Sequence, residues 1–144
     1  MTTTMCITDE FSVAAAPVEV FAFMVDPENL AKWQTIKTSV TPLTDGPPRR
    51  GYRVREESRI GPRRWEQVVE FTEFQPGRVF AVRVIDGPRS GGRWRLEPDG
   101  AGTRAHFDAW FEAPRLLAPV QKPLIRRQFR GFHRNLRAQL GRAT

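Results

Sequence analysis

The stretch from Ala118 to Leu140 constrains the fold more than any other. On a helical wheel Leu117, Leu124, Ile125, Phe129, Phe132, Leu136 and Leu140 fall on one arc, and Arg126, Arg127, Arg130, Arg134 and Arg137 fall on the opposite one. That is a long amphipathic helix with one face to bury and one to solvate. Nearly everything ahead of it reads as strand, so its apolar face needs a sheet to lie against. Gln128 sits inside the apolar arc, between Leu124 and Phe132. A polar side chain aimed from such a helix at a curled sheet predicts a lined cavity between them.

The sheet can be read segment by segment. Ile7 to Val13 alternates apolar and polar residues, as a strand with one buried face does. Ala16-Pro17 opens a short helix, with Val20, Phe21, Met24 and Val25 on its buried side. Asp26-Pro27-Glu28 predicts a second short helix running to Trp33, with Asp26 as N-cap. Six strands follow: Ile36 to Leu43, Tyr52 to Ile60, Arg64 to Phe74, Val79 to Ile85, Arg93 to Glu97, and Arg104 to Glu112. Turn residues such as Gly61-Pro62, Pro76-Gly77 and Pro98-Asp99-Gly100 separate the later ones, which predicts an antiparallel meander. Gly87 to Gly92 reads as a hairpin loop.

Charge pairing across strands tests the register. If Glu97 faces Arg104, then Arg93 faces Asp108, Leu96 faces Ala105 and Trp94 faces Phe107, with both ion pairs outside and both apolar pairs inside. Carried through the turns, the same parity turns Val82, Val84, Phe71, Val69 and Trp65 inward, and on the neighbouring strand Tyr52, Val54, Glu56 and Ser58. Arg53, Arg55, Glu57 and Arg59 then point to water.

The chain is expected to form one domain over residues 1–144, with 40% hydrophobic and 27% charged residues and no internal repeat. No apolar run approaches the roughly 20 residues that cross a bilayer. The start, Met-Thr-Thr-Thr-Met-Cys, lacks a basic segment and a cleavage site, which predicts a cytoplasmic protein. Cys6 is the only cysteine, so an internal disulfide and a cysteine-rich metal site are excluded. The net charge of +7 arises from 23 basic and 16 acidic residues, and only Lys32, Lys37 and Lys122 are lysines. Such a balance suits nucleic acid or anionic lipid. The arginine arc of the helix, however, is also what a solvated outer face looks like.

The order strand, two short helices, six strands and a long C-terminal helix is that of the α+β helix-grip fold. Ala16-Pro17-Val18-Glu19-Val20-Phe21, continuing to Asp26-Pro27-Glu28-Asn29-Leu30-Ala31-Lys32-Trp33, resembles the opening of the START/polyketide cyclase/Bet v 1 (SRPBCC) superfamily, and most of all its small bacterial polyketide cyclase/dehydrase-like members. The resemblance spans about Ile7 to Leu140. It implies a curved seven-stranded sheet around the last helix and a cavity for lipids, sterols or polyketides; some members cyclise their ligand and others bind proteins. The loop from Asp45 to Gly51 is proline-rich here, where plant members carry glycines.

Catalytic signatures such as G-x-S-x-G, H-E-x-x-H or a P-loop do not occur. Of the two histidines, His106 falls outward and His133 at the boundary of the helix face, which argues against a metal site; no cofactor is implied. The inward polar residues Tyr52, Glu56, Ser58, Gln67 and Gln128 are the informative ones. Burying Glu56 among Trp65, Val54 and Phe132 costs several kcal/mol unless it is paired or protonated. A hydrogen bond to Gln67 that fixes the core, ligand orientation, and proton transfer by Glu56 or Tyr52 all remain open. With Trp33, Val54, Trp65, Val69, Val82, Val84, Trp94, Phe107 and Phe132 they form the candidate ligand-binding set. A few polar groups set in apolar walls is the usual form of such a site.

Three functions follow. The leading one is binding of a small hydrophobic molecule, lipid or polyketide-like, between the sheet and the last helix. The second is a polyketide cyclase or aromatase that confines a reactive chain. The third is docking onto protein, RNA or anionic membrane through Arg126, Arg130 and Arg134.

Overall fold

Strands with one apolar face, arranged so that each turn joins neighbours, account for most of the architecture. The computed structural model describes residues 1–141 of the 144. The elements run β1 (Thr2–Val13), α1 (Pro17–Val25), α2 (Leu30–Trp33), β2 (Lys37–Pro42), β3 (Arg53–Ile60), β4 (Arg63–Gln75), β5 (Val79–Asp86), β6 (Ser90–Asp99), β7 (Gly102–Pro114) and α3 (Ala118–Gly141). All seven strands form one antiparallel sheet in the order β1-β7-β6-β5-β4-β3-β2. β2 to β7 are a meander, whereas β1 and β2 stand at opposite edges, so α1 and α2 carry the chain from one edge to the other. This is the helix-grip fold.

The expected register holds. Glu97 pairs with Arg104, Leu96 with Ala105, Trp94 with Phe107 and Arg93 with Asp108, and Glu56 lies opposite Gln67. The ion pairs differ from those expected, however. Arg93 reaches across Ala81 to Glu73 on β4, at 2.8 Å, and Arg104 pairs diagonally with Glu10 on β1. Long arginines reach diagonal and second-strand carboxylates once a small residue such as Ala81 leaves the way open.

Three local expectations are corrected. The second helix is only Leu30–Trp33; Asp26 caps a turn instead, its Oδ1 accepting from the Glu28 amide at 2.9 Å. Ser90, Gly91 and Gly92 belong to β6 rather than to a loop. A Cβ on Gly91 would lie 2.6 Å from Trp110 Nε1, so only glycine lets β6 start there. The third concerns α3. Phe132, Leu136 and Leu140 are buried and packed into the core, but Leu117 and Leu124 are 49% and 62% exposed. The C-terminal half of α3 packs down on β1 and α2, while its first turns stand off the sheet.

A lined cavity as the candidate binding site

The stand-off of α3 leaves a cavity of about 460 Å³ between its first turns and the inner face of the sheet. Across the sheet, Val82 faces Gly92 and Gly92 faces Ala109, and all three border the cavity. The rings of Trp94 and Phe107 close over Gly92, where a Cβ would lie 3.3 Å from each.

Of the residues expected to line an interior space, Trp33, Val54, Glu56, Ser58, Trp65, Gln67, Val69, Val82, Val84, Trp94, Phe107, Gln128 and Phe132 all do so. Tyr52 does not. It is buried in the core with its ring 5.9 Å from Phe71, and burial pushes its phenol above the usual value, with Arg49 only partly opposing. It does not border the cavity.

The cavity has two unlike walls. Val69, Val82, Trp94, Phe107, Phe129 and Phe132, from β4 to β7 and α3, make one apolar and largely aromatic. Trp94 and Phe107 lie 4.6 Å apart, Phe107 and Phe129 4.7 Å apart. The other wall, from β2, β3 and the first half of β4, carries the polar groups, set among Val54, Ile60 and Trp65. There Glu56 Oε1 accepts from Lys37 Nζ at 2.7 Å and from Gln67 Nε2 at 2.9 Å. The side chains of Lys37 and Glu56 are only 7% and 6% exposed. The hydrogen bond between Glu56 and Gln67 is the one the sequence offered; the new element is a buried ammonium that offsets the carboxylate's charge. Removing one partner of such a pair costs about 3–5 kcal/mol when nothing replaces it.

The polar wall has capacity to spare. An ammonium carries three donors, and Lys37 spends one on Glu56. Glu56 Oε2 and Ser58 Oγ accept from no described residue, and neither is a sealed, unpaired atom, so both border open space in the cavity. Trp33 Nε1 is the opposite case: enclosed and without a hydrogen-bond partner among the described residues, its ring edge-on to Trp94 at 5.8 Å.

Lys37 was missed because the inward parity stopped at β3. Its register partner is Ser58, so one more step across the sheet would have found it. His133 was placed at the helix boundary and is in fact fully buried. Phe129, Phe132, His133 and Leu136 have the i, i+3, i+4, i+7 spacing of one face, which is the signal that could have placed it. His133 Nε2 accepts from Trp94 Nε1 at 3.1 Å, and its Nδ1 meets Asp9 Oδ2 at 2.7 Å. Because an indole nitrogen can only donate, Nε2 must be unprotonated and Nδ1 carries the hydrogen given to Asp9. Burial holds His133 below the usual imidazole value, with Asp9 opposing. His106 points outward as expected, against Glu97 at 2.8 Å.

Among the described residues no group of three or more His, Cys, Asp or Glu could hold a metal ion, and no helix is long and apolar enough to cross a membrane. Arg126, Arg130 and Arg134 make no ion pair with a described residue.

A long C-terminal helix laid over a seven-stranded antiparallel sheet, with a lined cavity between them, defines a helix-grip protein. Residues 4–143 match the model of the family described as polyketide cyclase / dehydrase and lipid transport, and the chain belongs to that family. Its fold is similar to that of a START superfamily protein from Mycobacterium smegmatis (TM-score 0.84, 14% identity, covering 96% of this chain and 99% of that one). It is also similar to the Zhui aromatase/cyclase from Streptomyces sp. R1128 (TM-score 0.80, 17% identity, 97% and 95% covered). A norcoclaurine synthase from Thalictrum flavum, in complex with a transition state analogue, has a TM-score of 0.73 at 14% identity, with 99% and 98% covered. No curated protein matches the chain in sequence.

Proposed function

We propose that this protein binds a small hydrophobic molecule, lipid or polyketide-like, in the cavity between the sheet and α3, and that residues 1–144 act as one cytoplasmic binding domain. The observation that carries the reading is a cavity of about 460 Å³ with a continuous aromatic wall and a single polar wall. Apolar surface left open inside a fold is a standing cost that a hydrophobic occupant relieves, at about 25 cal/mol per Å² covered. Native mass spectrometry of freshly purified protein should detect a retained small molecule. A hydrophobic fluorescent probe should quench the cavity tryptophans. Val69→Trp, on the aromatic wall, should fill the space and weaken probe binding about tenfold, or ~1.4 kcal/mol, with folding intact. Equal binding by Val69→Trp would place the probe elsewhere and sink the reading.

A cyclase is the second reading. It is supported by the buried Lys37–Glu56 pair at the cavity wall, which offers a proton donor beside an acceptor, and by the names of two structural neighbours. Turnover of a poly-β-ketone that is lost in Glu56→Gln while binding persists would favour it. Retention of the compound unchanged would exclude it.

A further inference from the structure

The polar wall carries two opposite charges at contact distance, with atoms left over on each. Lys37 Nζ and Glu56 Oε1 are 2.7 Å apart and sum to zero formal charge. Lys37 retains donors, and Glu56 Oε2 retains its acceptor capacity toward the cavity. Gln67 is held to Glu56 by its amide nitrogen, which leaves its carbonyl free. Ser58 adds an uncommitted hydroxyl two residues along the same inner face.

From this we infer that Lys37, Glu56 and Gln67 are the head-group site of the cavity, and that it selects a neutral amphiphile bearing a hydroxyl over one bearing a free carboxylate. The inference rests on the binding reading above. A single hydroxyl completes the cluster: its oxygen accepts from Lys37 Nζ and its hydrogen goes to Glu56 Oε2. A carboxylate could accept from Lys37, but it would bring a second negative charge against Glu56 in a site of low dielectric. It also has no hydrogen to give Oε2. A bare hydrocarbon leaves both groups desolvated and unmatched, which a hydrogen-bonding site penalises strongly. The other charges at the cavity stand on exposed segments of its rim. Arg89 is neutralised by Glu112 at 2.9 Å, and Arg63 lies over the Trp65 ring at 5.7 Å. Being exposed to water, Arg63 attracts an anion only weakly, so the buried pair decides the selection.

Three probes of one shape test this by equilibrium dialysis at pH 7: naphthalene, 1-naphthol and 1-naphthoate. The expected order puts 1-naphthol first by about tenfold over either of the others, the size of one hydrogen bond to a charged group. Glu56→Gln leaves the cluster at +1 and should shift the ratio toward 1-naphthoate by about tenfold. Lys37→Met combined with Glu56→Gln restores neutrality without charges and should bring 1-naphthol down to the level of naphthalene. Circular dichroism melting checks that each variant is folded, and the double variant serves if Glu56→Gln is not. Equal binding of 1-naphthol and 1-naphthoate by the unaltered protein overturns the inference and leaves the binding reading standing. So does a ratio indifferent to both variants. No binding of any probe overturns the binding reading, and the inference falls with it.

Discussion

Two polar clusters are buried on the inner side of this sheet, and they are built to different ends. At the end where α3 packs down, His133 spends both ring nitrogens, one on Trp94 and one on Asp9, and stacks on Phe11 at 4.2 Å. Nothing on that ring is left for a ligand. At the end where α3 stands off, Lys37, Glu56 and Gln67 satisfy one another only in part, and the remaining atoms border the cavity. The physics of desolvation is the same in both places. What differs is whether packing uses up every donor and acceptor. A saturated cluster locks a fold, and an unsaturated one beside a void is equipped to recognise something.

Removing His133 should therefore hurt most. His133→Ala leaves Trp94 Nε1 without its acceptor and opens a hole between Phe11 and Phe107; a stability loss of about 3 kcal/mol or more is expected from urea unfolding. Lys37→Met should cost less than about 3 kcal/mol, the lower edge for breaking a buried pair, because water in the cavity can reach Glu56. Should Lys37→Met prove the more damaging, the two clusters would not differ in the way described.

The pH dependence is smaller and belongs to the sealed cluster. Burial holds folded His133 below the unfolded value of about 6.5. The unfolded chain then binds a proton more readily, so stability rises with pH in this window. It should be level above about 6.5 and fall as pH drops from there through the depressed folded value. Protonation would put a hydrogen on Nε2, facing the Trp94 N–H. His133→Gln should flatten that slope; a slope that survives in His133→Gln belongs to another group.

The arginine face of α3 should matter least. Reversing the charges of Arg126, Arg130 and Arg134 should change stability by under about 1 kcal/mol and leave probe binding unaltered. RNA or anionic vesicles that bind the unaltered protein in a salt-sensitive way, and not this triple variant, would give that face a function of its own.

Side-chain alternation and helical spacing are local properties, so the sequence alone determined what depends on them. Strand parity turned Val54, Glu56, Gln67, Trp94 and Phe107 inward and set Trp94 opposite Phe107, because a period of two leaves each residue one face only. The amphipathic arc placed Phe132, Leu136 and Leu140 in the core for the same reason at a period of 3.6. Tertiary structure decided which inward atoms meet. Lys37 reaches Glu56 over 19 residues, Trp94 reaches His133 over 39, and His133 reaches Asp9 over 124. It also decided that Leu124 overhangs a cavity while Leu136 is buried, though both lie on the apolar arc. No periodicity within α3 carries that difference. It arises from what lies beneath each turn: Leu136 packs into the core and Leu124 borders the cavity, and only the tertiary fold sets those partners.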